Sequence, residues 1–256
     1  MGAESWVDWS ISYSTSYLNP TLKITALILV ATAIFIFLFA RIKFKEFKDL
    51  KYLINLLIVS SILIFLGFFF RLLGDFIILW KWLESTFNFV SAILFMLTAL
   101  AFIFGIIKSE KVQFKVDLAL FILIGGVIFA IIFWSFLSSP SISTSSLNLD
   151  YEVSILNYIL KLIDTIAFIL AFYLFFKGHE KYTEKLGKMI QFLIYVAFFL
   201  YLGSICRDHG INLGFNKDLS LKWFQSIFYN IASCLLIYTS YLFYDTGKKF
   251  TVALKV

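Results

Sequence analysis

The chain has 256 residues; 61% are hydrophobic, 20% aromatic and only 15% charged, with a formal net charge of +6. That composition excludes a soluble globular domain, in which about a quarter of the residues are charged. The basic balance calls for no nucleic-acid partner, because the Lys and Arg residues fall in short clusters between apolar runs.

Seven apolar runs are long enough to cross a hydrocarbon core of about 30 Å, which takes about 20 helical residues. They cover 22–40, 52–70, 87–107, 118–137, 153–176, 189–205 and 223–244. The fold class expected is all-α: a single polytopic membrane domain over 1–256, with seven transmembrane helices and no soluble module.

Ahead of the first run, Trp6, Trp9, Tyr13 and Tyr17 suit an interfacial segment. No basic region with a cleavage site precedes it, so no removable signal peptide is expected. Position 6 is not Ser or Thr, so the myristoylation pattern fails. The first run offers Thr21 and Thr25 on one face. The third carries Glu84, Asn88, Ser91 and Thr98 at steps of four, three and seven, which share a helix face. After the fourth run, the Ser-rich stretch 138–146 reads as a flexible connector.

The fifth run places Asn157, Lys161, Asp164 and Thr165 on one face. Lys161 and Asp164 are the only charges well inside a run, and a lone charge at mid-bilayer costs about 3 kcal/mol or more. Their spacing of three lets them touch. Two readings stand: a self-neutralising structural pair, or a substrate or proton site. In either, Asp164 faces the bundle interior, within reach of Lys161, Asn88, Tyr229 or Asn230. The seventh run repeats the polar stripe with Ser226, Asn230 and Ser233. Ser91, Thr98 and Ser233 are expected to bond to neighbouring helices, at about 1 kcal/mol or less each. Cys206 and Cys234 differ in depth by roughly 16 Å at about 1.5 Å per residue, too far for a disulfide; both read as buried, inert thiols. Trp82 and Trp223 read as belt residues at the interface.

Loop charge sets the orientation. Fifteen Lys and Arg fall on one side (41–51, 108–115, 177–188 and 248–255) and six on the other. The richer side is expected to be cytoplasmic, with the N-terminus outside.

The chain also repeats itself. Leu66-Gly67-x-x-x-Arg71-x-x-Gly74 returns as Leu202-Gly203-x-x-x-Arg207-x-x-Gly210, a shift of 136 residues. After a five-residue insertion, Lys81-Trp82 falls on Lys222-Trp223 and Phe87 on Phe228. Apolar matches come easily in such a chain; Gly and Arg matches at one constant shift do not. The first three runs (about 22–107) and the last three (about 153–244) then form parallel repeats about 118–137, a 3+1+3 plan with its axis along the membrane normal.

At the level of topology this plan resembles the SWEET sugar transporters, the PQ-loop proteins and the vitamin transporters of the nicotinamide riboside type, and more distantly the microbial rhodopsins. The resemblance implies a solute pathway between the repeats. It does not extend to motifs: Pro20 and Pro140 are the only prolines, and no Lys lies between Trp223 and Tyr244 to hold retinal. No cofactor is expected.

Arg71 and Arg207 end the second and sixth runs. They read either as a pair of guanidinium groups at a common mouth, suited to anions, or as helix-end anchors. His179 and His209 lie in loops on opposite sides, which removes a bis-His haem or zinc site. No hydrolase, zincin or P-loop motif is present, so no enzyme is expected. Two classes remain. One is a small transporter or channel with a pathway lined by Asp164, Lys161, Asn157, Glu84, Asn88, Tyr229, Asn230, Arg71 and Arg207. The other is a seven-helix sensor that signals through a partner. The partners expected are the lipid bilayer and an unidentified small solute, with a homo-oligomer compatible and no nucleic acid. Phe-, Ile- and Lys-rich usage suits an AT-rich genome, and the location expected is the plasma membrane of a prokaryote.

Overall fold

A backbone in hydrocarbon has no water to bond, so its polar groups must be satisfied within the segment, and the helix is the simplest solution. The computed structural model describes residues 18–45, 47–73, 78–104, 155–179, 184–208 and 221–253. They form α1 (Leu18–Lys43), α2 (Lys48–Leu73), α3 (Ile78–Phe104), α4 (Ile155–His179), α5 (Glu184–Asp208) and α6 (Leu221–Ala253). Among the described residues there is no strand.

Five of these helices hold segments long and apolar enough to cross a membrane: Asn19–Lys43, Leu50–Leu73, Leu83–Ala101, Leu186–Cys206 and Trp223–Lys249. The chain is therefore a helical membrane protein. The helix α4 is not among the five, though its 25 residues reach about 38 Å at 1.5 Å per residue. The predicted span 118–137 and the Ser-rich stretch 138–146 lie outside the described residues, so six helices stand where seven are expected.

Helix limits differ from the apolar runs at polar positions. The helix α3 starts at Ile78, nine residues before the expected 87, because Glu84, Ser85, Thr86 and Asn88 are buried inside the bundle and need no interface. The helix α6 runs nine residues past 244 to Ala253, carrying an Asp245–Lys249 ion pair one turn apart. Pro20 sits in the first turn of α1, where its missing N–H is not needed. Arg41 and Lys43 close the same helix, where cations favour the carbonyl end.

Each helix packs chiefly against two others, and the six close a ring in chain order, with α6 returning to α1. The most extensive packing is of α1 on α6 and of α3 on α4. Contacts along the pairs give their directions. Asn230 meets Leu22 and Phe243 meets Phe37, so α6 runs parallel to α1. Phe87 meets Phe70, so α3 is antiparallel to α2. Phe228 meets Phe199 and Tyr238 meets Phe192, so α6 is antiparallel to α5. The helices α1, α3, α4 and α6 thus end on one face, and α2 and α5 begin there. That face carries Arg41, Lys43, Lys45, Lys48, Lys51, Lys177, Lys188, Lys248 and Lys249, and is the lysine-rich face below.

Toward the lysine-rich face the interior is aromatic. Phe37 lies 6.0 Å from Phe243 and Phe95 lies 5.4 Å from Phe175, ring centroid to centroid, and all four are fully buried. Gly247 admits Phe44: a Cβ there would come within 2.8 Å of the Phe44 ring. Outward, α1 presents Ile24, Ile28, Phe35, Leu38, Phe39 and Ile42 to lipid.

Candidate functional site

Polar side chains gather inside the ring in the half away from the lysine-rich face. The helix α3 turns Glu84, Asn88, Ser91 and Thr98 inward, as their shared face requires, and α6 turns Gln225, Ser226, Tyr229 and Ser233 inward. Thr21 and Thr25 do the opposite. Both are exposed, with Thr25 bonded to its own helix at the Thr21 carbonyl, and α1 buries Asn19 and Lys23 instead.

Arg71 is the hub. It is 8% exposed. Its Nη2 donates to Ser226 Oγ at 2.8 Å, and its Cζ lies 5.3 Å from the centroid of the Tyr229 ring. Both partners are on α6, which is not a ring neighbour of α2, so the guanidinium spans the interior. Phe68, three residues earlier, meets the same Tyr229 ring at 4.9 Å. Lys23 of α1 is buried and donates to the Arg71 carbonyl at 3.4 Å, near the carbonyl end of α2. Asn230 ties α6 to α1 by donating to the Leu22 carbonyl at 3.0 Å, and donates to its own helix at Ser226.

The two repeated glycines are slots. A Cβ at Gly67 would lie 2.3 Å from Asn88 Oδ1, and one at Gly203 would lie 2.3 Å from Tyr229 Cε1. Asn88 therefore packs against α2 one turn below Arg71, while Tyr229 fills the notch in α5 and reaches Arg71 on its other side.

Four amide atoms in this half have no hydrogen-bond partner among the described residues: Asn19 Oδ1, Asn88 Nδ2, Gln225 Nε2 and Asn230 Oδ1. Asn88 is 5% exposed and Gln225 4%. Glu84, at 7%, is a buried carboxylate with neither hydrogen bond nor ion pair among the described residues.

Asp164 is fully buried and accepts from Thr165 Oγ1 at 3.3 Å; that hydroxyl also bonds the Lys161 carbonyl. Phe168, one turn on, packs on Phe95 of α3 at 6.5 Å, so Asp164 is on the side of α4 that faces α3. Lys161 is half-buried. Tyr229 and Asn230, expected beside Asp164, take the contacts above from α1, α2 and α5. The Asn157 and Arg207 side chains lie outside the described residues, though both positions are helical.

Several expectations need correction. Ser91, Thr98 and Ser233 do not bond across helices; they donate to Asn88, Leu94 and Tyr229 carbonyls of their own helices at 2.7–2.8 Å. A Ser or Thr hydroxyl lies within reach of the preceding turn, and takes that local acceptor first. Trp223 is buried rather than a belt residue, and Cys234 is exposed while Cys206 is half-buried. Sequence reasoning placed Lys23 in a loop and passed over Gln225. The signal for the slots was present: in L-G-x-x-x-R the Gly and Arg are four apart, one above the other on a helix face.

Among the described residues no cluster of His, Cys, Asp and Glu could hold a metal ion. No family model, curated protein or solved structure matches the chain.

Proposed function

We propose that the chain is a small integral membrane transporter whose solute site is the polar half of the ring, formed by Arg71, Glu84, Asn88, Gln225, Tyr229 and Asn230. One observation carries this reading. Polar groups that serve only as interhelical glue satisfy each other, whereas Asn88, Gln225 and Asn230 each leave an amide atom unpaired. Each unpaired buried group costs about 1–3 kcal/mol, a cost that a bound solute offsets. Asp164 and Lys161 extend the polar region deeper, beside α3. The reaction class is translocation without catalytic chemistry.

The repeat supports a site between two halves. Asn88 fills the slot of Gly67 and Tyr229 that of Gly203. Asn88 and Tyr229 are 141 residues apart, the same shift that lays Lys81-Trp82 on Lys222-Trp223. The two closest helix pairs, α1 with α6 and α3 with α4, exchange under that operation. We assign residues 118–137 as a seventh crossing, giving the parallel 3+1+3 plan. The support is directional: α3 ends on the lysine-rich face, α4 begins on the other, and the chain between has to recross. We place the lysine-rich face in the cytoplasm, the N-terminus outside and the protein in the plasma membrane of a prokaryote.

A second reading, a sensor that binds a solute without passing it, is favoured by the fully buried Phe37, Phe95, Phe175 and Phe243 rings, which pack between the polar half and the lysine-rich face among the described residues. Counterflow of labelled solutes in proteoliposomes tests the choice. Accumulation that depends on the protein supports transport. Saturable binding with no counterflow removes the transporter reading in favour of the sensor.

A further inference from the structure

We propose that the site takes a small organic cation: an ammonium group whose short carbon chain also carries a neutral hydrogen-bond acceptor, as in an amino alcohol. This ligand class rests on the solute site proposed above and names what that site holds.

Glu84 supplies the charge. It is more than nine-tenths buried and has neither hydrogen bond nor ion pair among the described residues. Asn88, one turn on along the same helix face, abuts Gly67 of α2, which sets Glu84 on the inward side of α3. The cations of this half are engaged on other helices. Arg71 crosses the ring to Ser226 and Tyr229 of α6, and Lys23 donates to the Arg71 carbonyl from α1. The carboxylate of α3 is thus the charge left to be answered, and a carboxylate taken out of water is unfavourable without a counter-charge. A solute ammonium provides one. At the shift of 141 residues that lays Lys81-Trp82 on Lys222-Trp223, Glu84 falls on Gln225. The two side chains have nearly the same shape, so α3 carries a negative pole where α6 carries a neutral amide.

The neutral groups call for a second feature in the solute. Asn88 Nδ2 and Gln225 Nε2 are unpaired donors among the described residues. The Ser204 hydroxyl, fully buried on α5 beside Gly203, is unpaired as well. These groups come from three helices, so no single helix–helix contact accounts for them. Amide N–H groups require an oxygen acceptor, and a hydroxyl or carbonyl oxygen on the solute satisfies them. Phe70 and Phe87, stacked at 5.3 Å, and Phe68 against Tyr229 at 4.9 Å bring apolar surface for the carbon chain between the two polar ends.

The test uses the purified full-length protein at neutral pH. Ethanolamine and 3-aminopropanol are each compared with solutes of the same chain length: the alkylamine, the diol, and the amino acid (glycine or β-alanine). Equilibrium binding and the rise in melting temperature are measured. At least one amino alcohol should bind, with its diol about a hundredfold weaker and its alkylamine about fivefold weaker. Glu84→Gln should bind the diol as well as the amino alcohol. Without solute it should melt no lower than the wild type, because it loses an unanswered charge and keeps its shape. The proposal is overturned if no amino alcohol binds, if a diol, an alkylamine or an amino acid binds as tightly as the matching amino alcohol, or if Glu84→Gln still prefers the amine. A solute-free Glu84→Gln that melts well below the wild type also overturns it, by showing that the carboxylate already has a structural partner. Counterflow separates the two claims. An amino alcohol that binds without counterflow removes transport and leaves the ligand class. Counterflow of a neutral or anionic solute in preference to the amines removes the ligand class and leaves the transporter.

Discussion

Tyr229 occupies the space that a side chain on Gly203 would need: a Cβ there would lie 2.3 Å from its Cε1 and 2.5 Å from its Cδ1. The ring cannot retreat, because Phe68 packs on it at 4.9 Å and Arg71 stands over it at 5.3 Å. Gly203→Ala should therefore force a helix shift and cost about 1–3 kcal/mol, read as a lower melting temperature in detergent. At Gly67 the close atoms are the end of the Asn88 side chain, which is shorter and has a free amide nitrogen. Gly67→Ala should cost less in stability than Gly203→Ala and more in solute binding. Equal stability losses would show that the two slots do not differ in this way.

The Arg71 guanidinium lies over the face of the Tyr229 ring, 5.3 Å from its centroid. Tyr229→Phe should keep this contact and melt near the wild type, while Tyr229→Leu should lose about 1–2 kcal/mol of cation–π attraction together with ring packing on Phe68. Ser226→Ala should cost about 1–3 kcal/mol by removing an acceptor from a buried guanidinium. Melting curves of the three variants order these effects; a Tyr229→Phe variant as unstable as Tyr229→Leu would move the interaction to the hydroxyl.

Ser91, Thr98 and Ser233 give the contrasting case. Their hydroxyls bond carbonyls of their own helices, and such bonds add little to a helix already complete. Replacing each by Ala should change stability by no more than about 0.5 kcal/mol. A loss well above that at any of the three would restore the interhelical reading for it.

What the sequence made legible follows from where physics leaves a mark. The helices of five described spans could be read because a crossing demands length and apolarity. The inward stripe of Glu84, Asn88, Ser91 and Thr98 could be read because polar groups avoid lipid. The fate of the apolar and small polar positions could not. Lipid and protein core are equally apolar, so nothing in hydrophobicity separates Ile28, which is 60% exposed, from Val30, which is fully buried. The same ambiguity turned Thr21 and Thr25 outward and Trp223 inward. Lys23 read as a loop charge because its acceptor, a carbonyl of α2, lies 48 residues away and leaves no local trace.

The topology makes its own prediction. In a background with Cys206→Ser and Cys234→Ser, a membrane-impermeant maleimide added to intact cells should label Ser143→Cys and leave Lys111→Cys unlabelled until the membrane is opened. The motivation is the excess of Lys and Arg on the lysine-rich face, together with the seventh crossing proposed above for 118–137. Labelling of both positions from outside would remove the crossing at 118–137; the reversed pattern would invert the protein.

Asp164 separates structure from function at the deepest charged position. It is fully buried on the side of α4 that faces α3, bonded to Thr165, with Lys161 one turn away and half-buried. If the carboxylate serves translocation, Asp164→Asn should keep the fold, since the amide has the same shape and can still accept from Thr165, and should abolish uptake. If the charge only balances its surroundings, Asp164→Asn should be mild, and Lys161→Ala the damaging change, because it removes a nearby cation from a buried carboxylate, at about 3–5 kcal/mol where the two are paired. Melting temperature and proteoliposome uptake, measured on both variants, give opposite patterns for the two cases. Wild-type uptake by Asp164→Asn would remove Asp164 from the pathway and leave it a structural charge.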